Sequence, residues 1–367
     1  MNKNIYLDAA ASALKSNSVI EAERDFIENS YANTGRGVCA RAAAADTMLA
    51  NARKSVADFI GAKLPQVVFT SGTTDAMNRI VNIVRGSCDV NTVAVSDLDH
   101  HSARMPWENI VRQGCAKLVK IPLTENYDLD SANVPVADVM VITAMSNVLG
   151  TPQDVKTIIA NARAKNPNVI TIVDAAQYVA HSAIDVHAWD CDFMCFSGHK
   201  IGANTGVGIM YIKNPDDFAP DKFGGGMVQT ISGDAWNIDA SPNKFEAGTL
   251  PLSQIAGLTI AINDWRAWSG SADIISYMYD ELKKMPRVKL LTTRDAKIIS
   301  FVIDGMHVLD FGALLGAHNV CVRVGNMCAS WIHAAMNIDG SVRISVGPWN
   351  TIDEARNVID IIKGIVK

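Results

Sequence analysis

Val169-Ile170-Thr171-Ile172-Val173 runs into Asp174-Ala175-Ala176-Gln177, and Phe193-Met194-Cys195 runs into Phe196-Ser197-Gly198-His199-Lys200. Each is a short apolar run, rich in β-branched or aromatic residues, closed by polar ones. That is the pattern of a strand buried on both faces of a parallel sheet. The two runs therefore set a carboxylate, an amine, a hydroxyl and an imidazole at strand ends. Singly these residues mean little: a lysine after a strand is commonly a solvated loop residue, and an aspartate there is often a helix cap. Together they suit a pyridoxal-phosphate (PLP) site. Lys200 would form the Schiff base, and Asp174 would keep the pyridine nitrogen protonated so that the ring can accept electrons.

Such a site also needs a place for a phosphate. Val67-Val68-Phe69-Thr70 has the composition of a buried strand, and it breaks at Ser71-Gly72-Thr73-Thr74 before a helical pattern over Asp75–Val81. Glycine permits close backbone approach, the hydroxyls donate, and the N-terminus of a helix attracts an anion. A plain Ser/Thr helix cap explains the same residues. No Gly-Lys-Ser/Thr follows, so this is not a P-loop.

Outward from these segments, Thr92–Val95, Lys117–Ile121, Val139–Thr143, Asp192–Phe196 and Val207–Tyr211 are expected strands. Asp154–Lys165 and Ala43–Ile60 are expected amphipathic helices. The alternation predicts an α/β chain with a mostly parallel, covered sheet. Ligands of such sheets collect at the carboxyl ends of strands, where Thr73, Asn147, Asp174 and Lys200 fall. Beyond Ile255–Trp268 the pattern changes to a helix (Ile274–Lys284), strands (Val288–Leu291, Ile298–Ile303), a helix (Leu309–Leu315), Val320–Val324, and a last helix (Ile352–Val366). The expected domains are a large one over 16–255 and a smaller α+β one over 256–367, with 1–15 packing on the latter.

Composition bounds the function. A chain of 367 residues can bury a large core. A formal net charge of -5 gives no reason to expect nucleic acid. The start Met1-Asn2-Lys3-Asn4-Ile5 lacks an apolar targeting core, and no apolar run is long enough for a membrane span. The seven cysteines are scattered without zinc-ligand spacing, which suits a reducing cytoplasm.

Ser71-Gly-Thr-Thr74, Asp99-His100-His101, Met145-Ser146-Asn147, Asp174-Ala-Ala-Gln177, Ser197-Gly-His-Lys200, Phe245-Glu-Ala-Gly-Thr249 and Arg323-Val-Gly-Asn-Met-Cys328-Ala occur in this order. The chain resembles, over nearly its whole length, class V aminotransferase-fold proteins, and among them group II cysteine desulfurases and selenocysteine lyases. The resemblance implies the type I fold of PLP-dependent transferases. By position, Lys200 would hold the cofactor, Asp174 its pyridine nitrogen and Gln177 its phenolic oxygen. His100 would stack on the ring, with the adjacent His101 as the alternative. Thr73, Thr74, Ser197 and His199 would hold the phosphate. Thr249 would reach the phosphate of a second subunit, which implies a homodimer. Asn147 would contact cofactor or substrate carboxylate.

Cys328 bears on the reaction. Val322–Gly325 leads as a strand into a loop and helix, and a cysteine there could reach a substrate and be activated by nearby positive charge. Buried small-hydrophobe roles suit Cys88, Cys115, Cys191 and Cys195 better. The resemblance implies that Cys328 takes the γ-sulfur of L-cysteine as a persulfide, leaving L-alanine, with L-selenocysteine as a further substrate and a protein or small thiol as sulfur acceptor. Arg343 is the candidate bidentate clamp on the substrate carboxylate, assisted by Arg323, with Arg36 near the mouth. Three departures from the family pattern bear on loop shape and specificity: Cys39 for a histidine, Trp331 for a proline, and a shortened Trp268–Ile298 stretch. Two other readings stand beside this one. The chain could be another class V enzyme (C–S lyase, epimerase or aminotransferase) with an incidental Cys328, or an idle PLP-binding scaffold.

Overall fold

The structure, a computed structural model, describes residues 4–268 and 270–367. Seven strands form the main sheet in the order Val67–Thr70, Gly208–Ile212, Phe193–Ser197, Ile170–Asp174, Val139–Thr143, Thr92–Val95, Lys117–Lys120. Gly208–Ile212 is antiparallel to both neighbours, and all the other pairings are parallel. Six strands thus point the same way. The carboxyl ends of Val67–Thr70, Val139–Thr143, Ile170–Asp174 and Phe193–Ser197 open on one edge of the sheet.

The period of two in these strands divides the core between two faces. Val139, Val141, Phe193 and Cys195 pack with Met77, Ile80 and Trp107 from helices Thr73–Ser87 and His101–Arg112. Met140, Ile142, Met194 and Phe196 pack on the other face with Val56, Ile60, Ile158 and Leu258, from helices Ala40–Ile60, Val155–Lys165 and Leu252–Ala267. Both faces being covered is why the sequence shows near-continuous apolar runs instead of alternation.

The smaller unit is a four-stranded antiparallel sheet ordered Val288–Leu290, Ile299–Ile303, Ser341–Ile344, Arg323–Gly325. Helices Ala272–Lys283, Val308–Ala317 and Ile352–Ile365 pack on it through Met278, Phe311 and Ile359. The N-terminal strand Ile5–Tyr6 pairs in parallel with Val320–Cys321, and Leu7 joins this second core.

Four details differ from the sequence expectations. Cys88 and Cys115, expected as buried small hydrophobes, are exposed just beyond helices Thr73–Ser87 and His101–Arg112, whereas Cys191 and Cys195 are buried as expected. The run Val320–Val324 is not one strand: Val320–Cys321 pairs with Ile5–Tyr6, whereas Arg323–Gly325 pairs with Ser341–Ile344. Helix Leu252–Ala267 runs through position 255, and Ile255, Leu258, Ala261 and Ile262 are buried in the larger core. A hairpin, Val228–Ser232 with Ala235–Ile238, was not anticipated. It is almost wholly exposed, so it lacks the apolar alternation that marks a half-buried strand.

Candidate active site

The candidate anion cradle is shaped first by sterics. Thr70 pairs with Gly208, and a methyl at Gly208 would sit 2.5 Å from Gly72 Cα. Gly72 itself has φ of 147°, a region closed to other L-residues. The chain can therefore turn from strand into helix Thr73–Ser87 directly above the end of Phe193–Ser197. Ser197 Oγ accepts from Thr73 N at 2.8 Å and lies 2.8 Å from Thr73 Oγ1. The cradle and the lysine-bearing strand are thus joined through one serine.

Lys200 lies in a short 3-10 turn, Gly198–Ile201, immediately after that strand. Its Nζ donates to the Ala10 carbonyl at 2.6 Å. Burial, aided by the Arg343 guanidinium, lowers its pKa to about 8, against the pull of Asp174 and Asp8. Asp174 ends strand Ile170–Asp174, and its Oδ1 accepts from Ala176 N at 2.9 Å. Burial raises its pKa, opposed by that hydrogen bond and by Lys200. Among the described residues no ion pair joins Lys200 to Asp174, so the two face a common space.

That space is a cavity of about 200 Å³ lined by Thr73, Thr74, His100, Asn147, Asp174, Gln177, Ser197, His199 and Lys200. Three buried atoms at its wall have no hydrogen-bond partner: Asn147 Oδ1, Gln177 Oε1 and His199 Nδ1. Buried polar atoms are rarely left so. A polar, phosphate-bearing ring with an ionised nitrogen would meet them, and the residues present therefore fit PLP.

His100 caps helix His101–Arg112. Ser102 N donates to its Nδ1 at 3.1 Å, which places the proton of the neutral ring on Nε2. Burial first, then Lys200, His101 and Arg343, lower its pKa to about 4, so the ring is neutral near pH 7. Asp99 sets its position: one carboxylate oxygen accepts from Ser96 N at 2.7 Å, the other from Thr143 Oγ1 at 2.7 Å, tying the turn to strand Val139–Thr143. His101 turns elsewhere, towards the Cys328 loop, where its Nε2 accepts from Ser330 N at 3.2 Å.

Arg343, on the central strand Ser341–Ile344, is 2 % exposed. Its Nη1 donates to Asn147 O at 2.8 Å and its Nη2 to Asp8 Oδ1 at 3.2 Å, while the buried Nε has no partner. A guanidinium with a free buried edge suits a carboxylate. Arg323 is half exposed and donates to Asp8 Oδ2. Cys328 is exposed, on the loop between Arg323–Gly325 and helix Ser330–Ala335. Asn147 Nδ2 donates to Met327 O at 2.8 Å, which joins that loop to the cavity wall.

Thr249 and Arg36 are exposed and do not line the cavity of their own chain. The Phe245–Thr249 motif contributes something else here. Glu246 is buried, accepting from Arg53 Nη1 and Nη2 at 2.8 and 2.7 Å and from Phe69 N at 2.7 Å. It fastens the loop to the strand that feeds the cradle. Sequence reasoning missed Asp8, which both arginines share, and His181, whose Nε2 lies 3.1 Å from Gln177 Nε2. Asp8 had a signal in Tyr6-Leu7-Asp8-Ala9-Ala10. Its pairing partners lie more than 300 residues away.

A family model described as Aminotransferase class-V matches residues 5–358. A Vibrio cholerae protein called a probable cysteine desulfurase is 32% identical, with 98% of this chain and 93% of that protein covered. An Enterobacter cysteine desulfurase is 34% identical over the same shares. Among solved structures, the apo cysteine desulfurase of Thermococcus onnurineus NA1 superposes with a TM-score of 0.93 at 28% identity, covering 100% of this chain and 95% of that one. An Escherichia coli cysteine desulfurase carrying an S-sulfonic acid gives 0.90 at 29% identity, covering 98% and 94%. With the fold, the lysine-bearing strand end and the match over nearly its full length in agreement, this chain belongs to the class-V aminotransferase family, whose type I fold it has.

Proposed function

We infer that the protein is a PLP-dependent cysteine desulfurase, converting L-cysteine to L-alanine with the sulfur retained as a persulfide on Cys328. The observation that carries this is the placement of Cys328. Its loop is hydrogen-bonded to Asn147 and His101, next to a cavity with Lys200 and Asp174 on its walls. Relatives and structural neighbours bearing that activity, with matches spanning almost the whole chain, support the reading.

Bound PLP would supply an electron sink that acidifies the substrate α-carbon. Lys200 would hold the cofactor, and its amine, partly unprotonated because of burial, can take and return a proton at Nζ. Asp174 would pair with the pyridine nitrogen at the base of the cavity, and the cradle from Gly72 to Thr74 with Ser197 and His199 would take the phosphate. Arg343 would grip the substrate carboxylate through its free Nε edge. Neutral His100, with its proton on Nε2, can pass a proton near the substrate. Cys328 Sγ, as thiolate, attacks the substrate γ-sulfur. The sulfur–sulfur bond forms as the carbon–sulfur bond breaks, and the pair left on carbon is protonated to give alanine. The net change is enzyme thiol plus cysteine to enzyme persulfide plus alanine, which balances without an external oxidant.

L-Selenocysteine as a second substrate, a protein or small-thiol acceptor, and a homodimer in which Thr249 serves the neighbouring cradle complete the proposal. Mass spectrometry of the Cys328 peptide after incubation with L-cysteine should show the mass of one added sulfur. Cys328→Ala should bind L-cysteine with a change in cofactor absorption but make little alanine. Wild-type alanine production by that variant would hand the site to C–S lyase chemistry.

A further inference from the structure

Met327 and Cys328 have φ of 51° and 55°. Two successive non-glycine residues in the left-handed region are unfavourable and persist only where the surroundings hold them. Three hydrogen bonds restrain this loop: Asn147 Nδ2 to Met327 O at 2.8 Å, His101 N to Cys328 O at 2.7 Å, and Ser330 N to His101 Nε2 at 3.2 Å. Two of them end on His101, the residue beside His100. Trp331 adds a contact of another kind. Its ring meets the His101 ring edge-on, with centroids 5.1 Å apart and planes at 82°, and Arg104 Cζ stands 4.0 Å from its ring centroid. Arg104 is itself 6 % exposed and immobilised by Asp97 Oδ1 at 3.0 Å, Glu108 Oε1 at 2.9 Å and the Ser96 carbonyl at 3.2 Å.

We propose that Trp331 is a positioning residue: wedged between His101 and Arg104, it locks the strained Cys328 loop to the helix that carries His100. Nucleophile and ring-facing histidine then form one rigid unit, and Cys328 Sγ is aimed before substrate arrives. A cation–aromatic contact made by a desolvated arginine, held here through Nε and Nη1, is among the stronger of its type. An edge-on aromatic pair fixes angle as well as distance. The lock belongs to sulfur abstraction alone, because neither Trp331 nor Arg104 lines the cavity around Lys200. The proposal rests on Cys328 as the sulfur nucleophile.

The test uses PLP-loaded full-length protein. In Trp331→Ala, single-turnover alanine formation from L-cysteine should fall at least tenfold. The KM for L-cysteine and the absorbance change on binding should stay within about threefold of wild type. Trp331→Phe, which keeps an aromatic face, should recover most of the rate. Hydrogen exchange at the Ser330 amide should quicken at least tenfold in the alanine variant and much less in the phenylalanine one. Should Trp331→Ala fail to load cofactor, Trp331→Leu is read by the same criteria. Wild-type abstraction and exchange in the alanine or leucine variant would overturn the lock. So would equal loss in the phenylalanine variant, or a loss confined to KM. Alanine formation that survives Cys328→Ala would instead overturn the nucleophile assignment on which the lock rests.

Discussion

Removing the Arg343 charge should raise the pKa of the Lys200 amine and slow cofactor loading at neutral pH. Burial is the largest cause of the depression to about 8, and the Arg343 guanidinium is the second. At pH 7 a pKa of about 8 leaves roughly 9% of the amine unprotonated, whereas an unperturbed lysine leaves about 0.03%, a difference of roughly 300-fold in nucleophile. Apoprotein mixed with PLP should therefore form its visible band at a rate that rises about fivefold between pH 7 and 8, then bends and levels off. Reading the profile above pH 7 keeps clear of the phosphate's second ionisation near 6. In Arg343→Met the bend should move upward and the rate at pH 7 fall; in Asp174→Asn, which removes a charge that raises the pKa, the bend should move downward. The sign for stability is that of the common carboxylate case, a pKa depressed on folding, and the reverse of a lysine raised by a partner. Between pH 8 and the unfolded value near 10.5 the unfolded chain carries a proton that the folded one lacks, so apoprotein stability should rise with pH in that window. A loading rate that climbs without a bend beyond pH 10, in wild type and variants alike, would refute the claim that burial and Arg343 set this amine.

Other outcomes follow from single contacts. Arg343→Lys replaces a fork with a point charge and should raise the KM for L-cysteine at least tenfold with a smaller change in kcat, so an unchanged KM would remove the carboxylate clamp from this residue. Glu246→Ala leaves Arg53 unpaired in a buried position and should cost about 3–5 kcal/mol in urea unfolding; a loss under about 1 kcal/mol would show that the motif is not anchored through this pair. Mixing Thr249→Ala chains with Lys200→Ala chains should regenerate activity above either parent if cradles are shared between subunits, because one site of each mixed dimer is then intact. A mixture no better than its parents would reject the shared cradle. The pH profile of kcat should show no ionisation assignable to His100 between pH 6 and 8, since burial first, and then Lys200, His101 and Arg343, hold it near 4; a limb in that range abolished by His100→Gln would contradict the neutral ring.

Much of the sheet was legible in the sequence because its signals are local. Strand Val139–Thr143 has the bounds expected from its apolar run, and helix Val155–Lys165 begins at the Asp154 cap that ends its pattern. Glycine-marked turns at 72 and 198 placed Thr73 and Lys200 just past strand ends by the same logic. The small unit was less legible where pairing partners are distant. Nothing near Val322 announces that Val320–Cys321 will pair with Ile5–Tyr6 while Arg323–Gly325 turns to Ser341–Ile344.

The sequence by itself determined the chemistry available: an amine and a carboxylate at the ends of two buried strands, a small-residue turn into a helix, and a cysteine behind Arg-Val-Gly. Those facts depend on residue type and on neighbours a few positions away. Only the tertiary structure decided how the groups are tuned. Asp8 meets Arg343 and Arg323 across more than 300 residues, His101 rather than His100 holds the Cys328 loop, and Lys200 loses its usual basicity. Burial and charge proximity act through space and fall off with distance in ångströms, not in residues, so such couplings leave no periodic or local trace in the chain.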